Sequence, residues 1–131
     1  MILVDTSIIV AWLDRMHPDH LACTRSLERW AEKETLAVSS VTFAELAVGA
    51  RTREAVEEDL KGFDRVDLDF DSAWRAGLAF RRYRPIARSD QPVLPDFLIR
   101  GQAASLGCRH LTNDHRRTKA WPDIDFIYPD C

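Results

Sequence analysis

The sequence predicts an α/β domain of three layers, with helices on both faces of a parallel sheet. Five short apolar segments read as strands: Ile2 to Asp5, Leu36 to Val38, Arg65 to Leu68, His110 to Thr112 and Asp125 to Ile127. Helical patterns fall between them. Strands that alternate with helices are joined by crossovers and run parallel. Size agrees: 131 residues make one domain, residues 1–131. A chain of that length buries about two thirds of its unfolded surface without staples.

The elements follow in order. After the first strand a helix is expected from Thr6 to Asp14, a break at His17-Pro18, and a second helix from Asp19 to Lys33. After the second strand come helices over Ser40 to Arg51 and Arg53 to Gly62. The third strand leads to a helix from Ser72 to about Tyr83. Pro85, Pro92 and Pro95 punctuate a loop, and the next helix runs on to Gly107, a good C-terminal stop. A last short helix follows Asp114. Internal repeats, low-complexity stretches and linker-like breaks are absent from the sequence.

Composition excludes several classes. Apolar residues make up 46% and charged residues 30%, as in a folded globular chain. The net charge of -3 argues against a protein that passively coats nucleic acid. It hides two biases: 15 of 18 basic residues are Arg and 14 of 21 acids are Asp. Arg suits bidentate phosphate contacts, and Asp suits metal ligation and helix caps. No apolar run approaches the roughly 18 residues that span a bilayer. The opening Met1-Ile2-Leu3-Val4 meets Asp5 at once and reads as a strand, not a signal peptide. Three scattered cysteines, Cys23, Cys108 and Cys131, suggest a reduced, cytoplasmic chain without zinc spacing.

In such sheets the working site lies beyond the carboxyl ends of the strands. Asp5 ends the first strand and Asp114 follows the fourth; Glu45 lies about one turn into the helix after strand two, and Asp96 opens the last long helix. Each has a structural explanation. Asp5 and Asp114 fit as helix N-caps, and Thr42 with Glu45 matches a capping box. Asp96 follows Pro95 at a helix start and has Arg100 one turn on. Together they read differently. Asp5 and Asp114 would converge only if strands one and four are neighbours, which a strand order of 3-2-1-4-5 would provide, and helices starting at the same edge would bring Glu45 and Asp96 there. Carboxylates 4 Å apart repel by about 4 kcal/mol per pair at an effective dielectric of 20, so such a cluster calls for protonation or a cation. All-oxygen ligation favours Mg²⁺ or Mn²⁺, which can activate water and steady a phosphoryl oxygen.

These segments carry a resemblance over nearly the whole chain. Ile2-Leu3-Val4-Asp5-Thr6-Ser7, Ser40-Val41-Thr42-Phe43-Ala44-Glu45-Leu46 with Gly49, Leu94-Pro95-Asp96-Phe97-Leu98-Ile99, Leu111-Thr112-Asn113-Asp114 and Phe126-Ile127-Tyr128-Pro129 follow one another in an order and spacing that resembles the PIN-domain ribonucleases, in particular the VapC-type toxins of toxin–antitoxin modules. The resemblance implies a PIN-like parallel sheet in order 3-2-1-4-5. It also implies a Mg²⁺-dependent endoribonuclease that inhibits translation, a VapB-like antitoxin and a homodimer. By position, Asp5, Glu45, Asp96 and Asp114 match the family's acidic quartet, as catalytic residues and metal ligands. Transfer RNA and ribosomal RNA both suit the family as substrate. Two positions depart from it: Ser7 stands where many members have Asn, and His115-Arg116-Arg117 is more basic than expected.

Thr6, Ser7, Thr112 and Asn113 are placed to hold the ligating carboxylates, or simply to cap. Arg84, Arg88, His115, Arg116 and Arg117, with Arg81, Arg82 and Lys119 nearby, form a basic rim that would hold RNA phosphates, against the alternative of a solvated charged surface. Trp12, Trp30 and Trp74 read as core or partner packing; Trp121 is the one aromatic considered beside the rim. His17 and His20 read as solvated. Other functions fit less well. A haloacid-dehalogenase phosphatase needs an acid at position 7, which is Ser; a receiver domain needs a Lys ending strand five; a nucleotide binder needs a Gly-rich first turn. The remaining alternative is a catalytically inactive PIN-like module that binds RNA or protein.

Overall fold

The computed structural model describes residues 1–50, 52–83 and 92–130. Five strands form one parallel sheet: β1 (Ile2–Val4), β2 (Leu36–Ser39), β3 (Asp64–Val66), β4 (Arg109–Leu111) and β5 (Phe126–Ile127). Their order is β3-β2-β1-β4-β5, the order expected. Strand β1 is central, paired with β2 through Leu3 and Ala37 and with β4 through Val4 and Leu111. The crossovers carry α1 (Thr6–Leu13), α2 (His20–Ala31), α3 (Ser40–Gly49), α4 (Arg53–Asp59), α5 (Phe70–Tyr83) and α6 (Pro95–Leu106).

Two apolar cores sandwich the sheet, and the alternation of β1 divides them. Successive side chains of a strand point to opposite faces. Ile2 and Val4 join Ile8, Ile9, Cys23, Leu27 and Val56 beneath α1, α2 and α4. Leu3 joins Ala76, Phe80, Phe97, Ile99 and Trp121 beneath α5 and α6. The latter pair packs very closely: a Cβ built at Gly101 would lie 2.3 Å from the Ser72 carbonyl oxygen. Gly107 ends α6 at φ 65, a conformation glycine adopts without steric cost.

The differences from expectation have local causes. Helix α5 begins at Phe70, two residues early, because Asp69 Oδ1 accepts the Ser72 N–H at 2.8 Å. The edge strand β3 is shifted towards the N-terminus and is largely exposed, so its apolar alternation was a poor guide. The last short helix is a 3₁₀ turn, Thr118–Ala120, starting four residues beyond Asp114. Trp121 is buried and packs on Phe97 with ring centroids 5.9 Å apart, which removes it from any basic rim. Trp74 is exposed, so it belongs to no core. His20 is tied to the Ala11 carbonyl oxygen at 2.9 Å. Arg51, Arg84, Pro85, Arg88 and Cys131 lie outside the described residues.

Candidate active site

The sheet order places the ends of β1 and β4 side by side, at the point where the chain's crossovers diverge. Asp5 leaves β1 as the N-cap of α1, with extended backbone (φ -73, ψ 153). Asp114 follows β4 after a two-residue turn. Ser39 caps α3 by accepting the Val41 N–H at 2.9 Å, which starts that helix at the same edge and carries Glu45 over it. Pro95 opens α6, so Asp96 sits in its first turn. All four acids line a single cavity of about 560 Å³, together with Ser7 and His17.

Hydroxyls hold the first two acids. Asp5 Oδ2 accepts from Ser7 Oγ at 2.6 Å, Thr112 Oγ1 at 2.9 Å and the Ser7 N–H at 3.4 Å. Ser7 Oγ in turn accepts the Asn113 N–H at 3.0 Å, and Thr112 Oγ1 accepts the Asp114 N–H at 3.1 Å. The same two hydroxyls therefore fix both Asp5 and the turn that carries Asp114. Glu45 Oε1 accepts from Thr6 Oγ1 at 2.8 Å. Thr6 has one hydroxyl hydrogen, so the Thr42 hydroxyl 2.8 Å away donates to it. Burial pushes the Glu45 carboxyl up; the Thr6 bond opposes this, and the charges of Asp5 and Asp96 add to it.

Arginines hold the other two. Arg116 grips Asp114 with two bonds, Nε to Oδ1 at 2.9 Å and Nη2 to Oδ2 at 3.0 Å. Burial raises the Asp114 carboxyl, but Arg116's bonds and charge outweigh it and bring it to about 2. Arg117 Nη2 donates to Asp96 Oδ2 at 2.8 Å and lies 3.8 Å from Asp114 Oδ2. The structural alternatives are thereby sorted. Asp5 does cap α1. Thr42 and Glu45 form no capping box, since Ser39 is the cap. Asp96 pairs with Arg117 and not with Arg100.

The sequence offered Arg100 only as a helical partner of Asp96 and gave His110 no role at the site. Arg100 is 1% exposed, turned inward from α6 over the Phe126 ring. Its Nη1 donates to the Arg116 carbonyl at 2.8 Å and its Nη2 to the Asp114 carbonyl at 3.1 Å. The one basic residue of α6, set between Ile99 and Gly101, was the available signal. His110 is wholly buried on β4. Its Nδ1–H donates to the Leu3 carbonyl at 2.9 Å, while Nε2 lies 3.9 Å from Asp5 Oδ1. Burial pushes the imidazole's pKa down against the pull of Asp5, which keeps the ring neutral. Asn113 ties the site to the start of α2 through Asp19 Oδ2 at 3.0 Å. His115 stacks on Tyr128 at 3.9 Å between centroids.

The donor set is all carboxylate oxygen, the chemistry a hard divalent cation prefers. Burial raises the Glu45 carboxyl and the charges of Asp5 and Asp96 add to it, so a cation there would favour its ionised form. Among the described residues, however, no three acid, His or Cys side chains stand close enough to share one ion as they lie. Two of the four are instead paired with Arg116 and Arg117.

The family model for the PIN domain matches residues 2–122. The chain belongs to the PIN-domain family. Solved structures of toxin–antitoxin proteins are similar over nearly the whole length. VapBC2 from Rickettsia felis, bound to a DNA fragment from the promoter, is 23% identical, with 99% of this chain and 100% of that one covered and a TM-score of 0.75. A toxin–antitoxin complex from Klebsiella pneumoniae is 22% identical, with 99% and 98% covered and a TM-score of 0.73. VapC20 from Mycobacterium tuberculosis, described as a sarcin–ricin loop cleaving toxin, is 17% identical, with 92% and 95% covered and a TM-score of 0.62. Comparison with curated proteins finds no match. No helix among the described residues of this PIN domain is long and apolar enough to cross a membrane.

Proposed function

We propose that this PIN domain is a metal-dependent endoribonuclease and the toxin of a toxin–antitoxin pair. The observation that carries the reading is the convergence of Asp5, Glu45, Asp96 and Asp114 on one cavity at the carboxyl ends of β1 and β4. Asp5 and Glu45 would hold a Mg²⁺ or Mn²⁺ ion with Asp96 and Asp114, once those two are released from their arginines. The ion would supply an activated water and charge stabilisation for in-line attack on a phosphodiester. The chain's own side chains set the stage. Ser7 and Thr112 lock the Asp5 carboxylate in one rotamer through Oδ2. Thr6 does the same for Glu45. Arg100 fixes the backbone that presents Asp114.

The basic residues at the rim would hold the RNA phosphates on either side of the reacting one; His115, Arg116 and Arg117 follow Asp114 directly. Several solved neighbours are complexes of a toxin with its antitoxin, which supports a VapB-like partner; a homodimer of this chain is part of the same proposal. Large apolar side chains left exposed at Met16, Leu21, Val48, Phe70 and Trp74 give such partners surface to cover. Cleavage inside the cell would place the protein in the cytoplasm, with a transfer or ribosomal RNA as target. Incubating the purified chain with total RNA in Mg²⁺ or in EDTA, then sequencing the RNA ends, tests the reading. Discrete internal cuts with 5′-phosphate and 3′-hydroxyl ends, in Mg²⁺ alone, are expected. Intact RNA in Mg²⁺, or equal cutting in EDTA, contradicts it.

A further inference from the structure

Arg117 differs from the other site arginines. It is the one non-glycine with positive φ among the described residues, at φ 59 and ψ 19. That left-handed conformation is strained for an ordinary side chain and persists only where the surroundings impose it. Here the surroundings are visible. Arg100 holds the carbonyls of Asp114 and Arg116, which clamps the backbone on the N-terminal side of Arg117. The Arg117 guanidinium lies over the Tyr83 ring, 5.6 Å from its centroid. Its side chain is 16% exposed, and its buried Nε has no partner. An incompletely satisfied guanidinium in a forced backbone has one strong attachment, the pair of carboxylates Asp96 and Asp114.

We propose that Arg117 is the resident cation of the acidic site, held between Asp96 and Asp114 until a divalent ion displaces it, so that it sets the site's metal affinity. The inference rests on the metal-dependent reading above. Two carboxylates in a partly buried cavity need a counter-charge when no metal is bound. Arg117 supplies it through Asp96 Oδ2, an oxygen a metal would also seek. A divalent ion entering this site must therefore break the Arg117 pair and push a like charge aside. Arg116 is a weaker competitor because its side chain is 72% exposed and free to swing into water. A merely structural arginine, holding Asp96 in its ligating rotamer, would have the opposite effect: its removal would weaken metal binding.

The test is Mn²⁺ binding by calorimetry on wild type and Arg117→Asn, since Asn tolerates the left-handed conformation. Removing a cation a few ångströms from a divalent ion should tighten binding by roughly tenfold. Melting temperatures give a second reading: the variant should melt below wild type in EDTA, and the gap should close in saturating Mn²⁺. On the wild-type chain, saturating Mg²⁺ should shift the NMR signal of Arg117 Nε–Hε and leave that of Arg29 in place. This arm holds even where the variant folds poorly. Unchanged or weaker Mn²⁺ binding by Arg117→Asn, or an Arg117 signal unmoved by bound Mg²⁺, overturns the proposal while leaving the metal-dependent reading standing. If neither protein binds Mn²⁺, the metal-dependent reading falls and this one falls with it.

Discussion

The two halves of the acidic site are held by different chemistry. On one side Asp5 and Glu45 receive their hydrogen bonds from the neutral hydroxyls of Ser7, Thr112 and Thr6. On the other side Asp114 and Asp96 are paired with the guanidinium groups of Arg116 and Arg117. Hydroxyls orient a carboxylate without cancelling its charge. The Glu45 carboxyl is accordingly pushed up by burial, with the charges of Asp5 and Asp96 adding to it. The Asp114 carboxyl, despite burial, is drawn to about 2 by Arg116. The hydroxyl half thus keeps its charge, while the arginine half is matched by guanidinium groups. That difference lets four acids converge on one cavity with two of them already paired.

The largest effect expected from breaking this arrangement falls on the arginine half. Arg100→Met roughly keeps the side-chain volume but strips the hydrogen bonds from two part-buried carbonyls and removes the buried guanidinium. We expect a loss of about 3 kcal/mol in unfolding free energy, read by urea denaturation. A near-neutral result would show that the loop of Asp114 to Arg117 does not depend on that clamp. Arg117→Asn comes next, with its shift in Mn²⁺ affinity. The smallest effect lies on the hydroxyl half. In EDTA at pH 7, Glu45→Gln should melt higher than wild type by on the order of one to two degrees, because it removes an uncompensated charge yet can still accept the Thr6 bond.

The pH dependence gives the sign. A carboxyl whose folded pKa is raised destabilises the fold when ionised, so stability is regained as pH falls through the raised value. The advantage of Glu45→Gln should therefore shrink on acidification and vanish near the ordinary carboxyl value of 4.5. Asp114 behaves oppositely. Its depressed pKa contributes stability above 3.8 that is lost as pH falls towards 2. A Glu45→Gln advantage that grew at low pH would break the contrast between the halves.

Much of this was readable from residue order. Asp5 after Ile2-Leu3-Val4 and Asp114 after the fourth strand announce acids at strand ends, and alternation of strand and helix dictates the sheet that joins them. Other features left weaker traces. Thr42 three before Glu45 looks like a capping box, yet Ser39, ending β2 at the sheet edge, is the residue that caps α3. Asp96 and Arg100 have the spacing of a helical pair, but Arg100 is drawn inward by two carbonyls of the Asp114 loop. Such long-range satisfaction of a buried group is invisible to local spacing. The same holds for His110, whose alignment with Asp5 depends on strand pairing. The rim at Arg84 and Arg88 falls outside the described residues.

One measurement bears most directly on the claim that the quartet is a catalytic metal site. Wild type and Asp5→Asn are compared for RNA cleavage in Mg²⁺ and for melting temperature in EDTA. Asn caps a helix about as well as Asp but lacks the charge a hard cation needs. The account predicts a loss of cleavage by about a thousandfold or more, with metal-free stability equal to or above wild type. Mg²⁺-dependent cleavage near the wild-type rate in Asp5→Asn would contradict it.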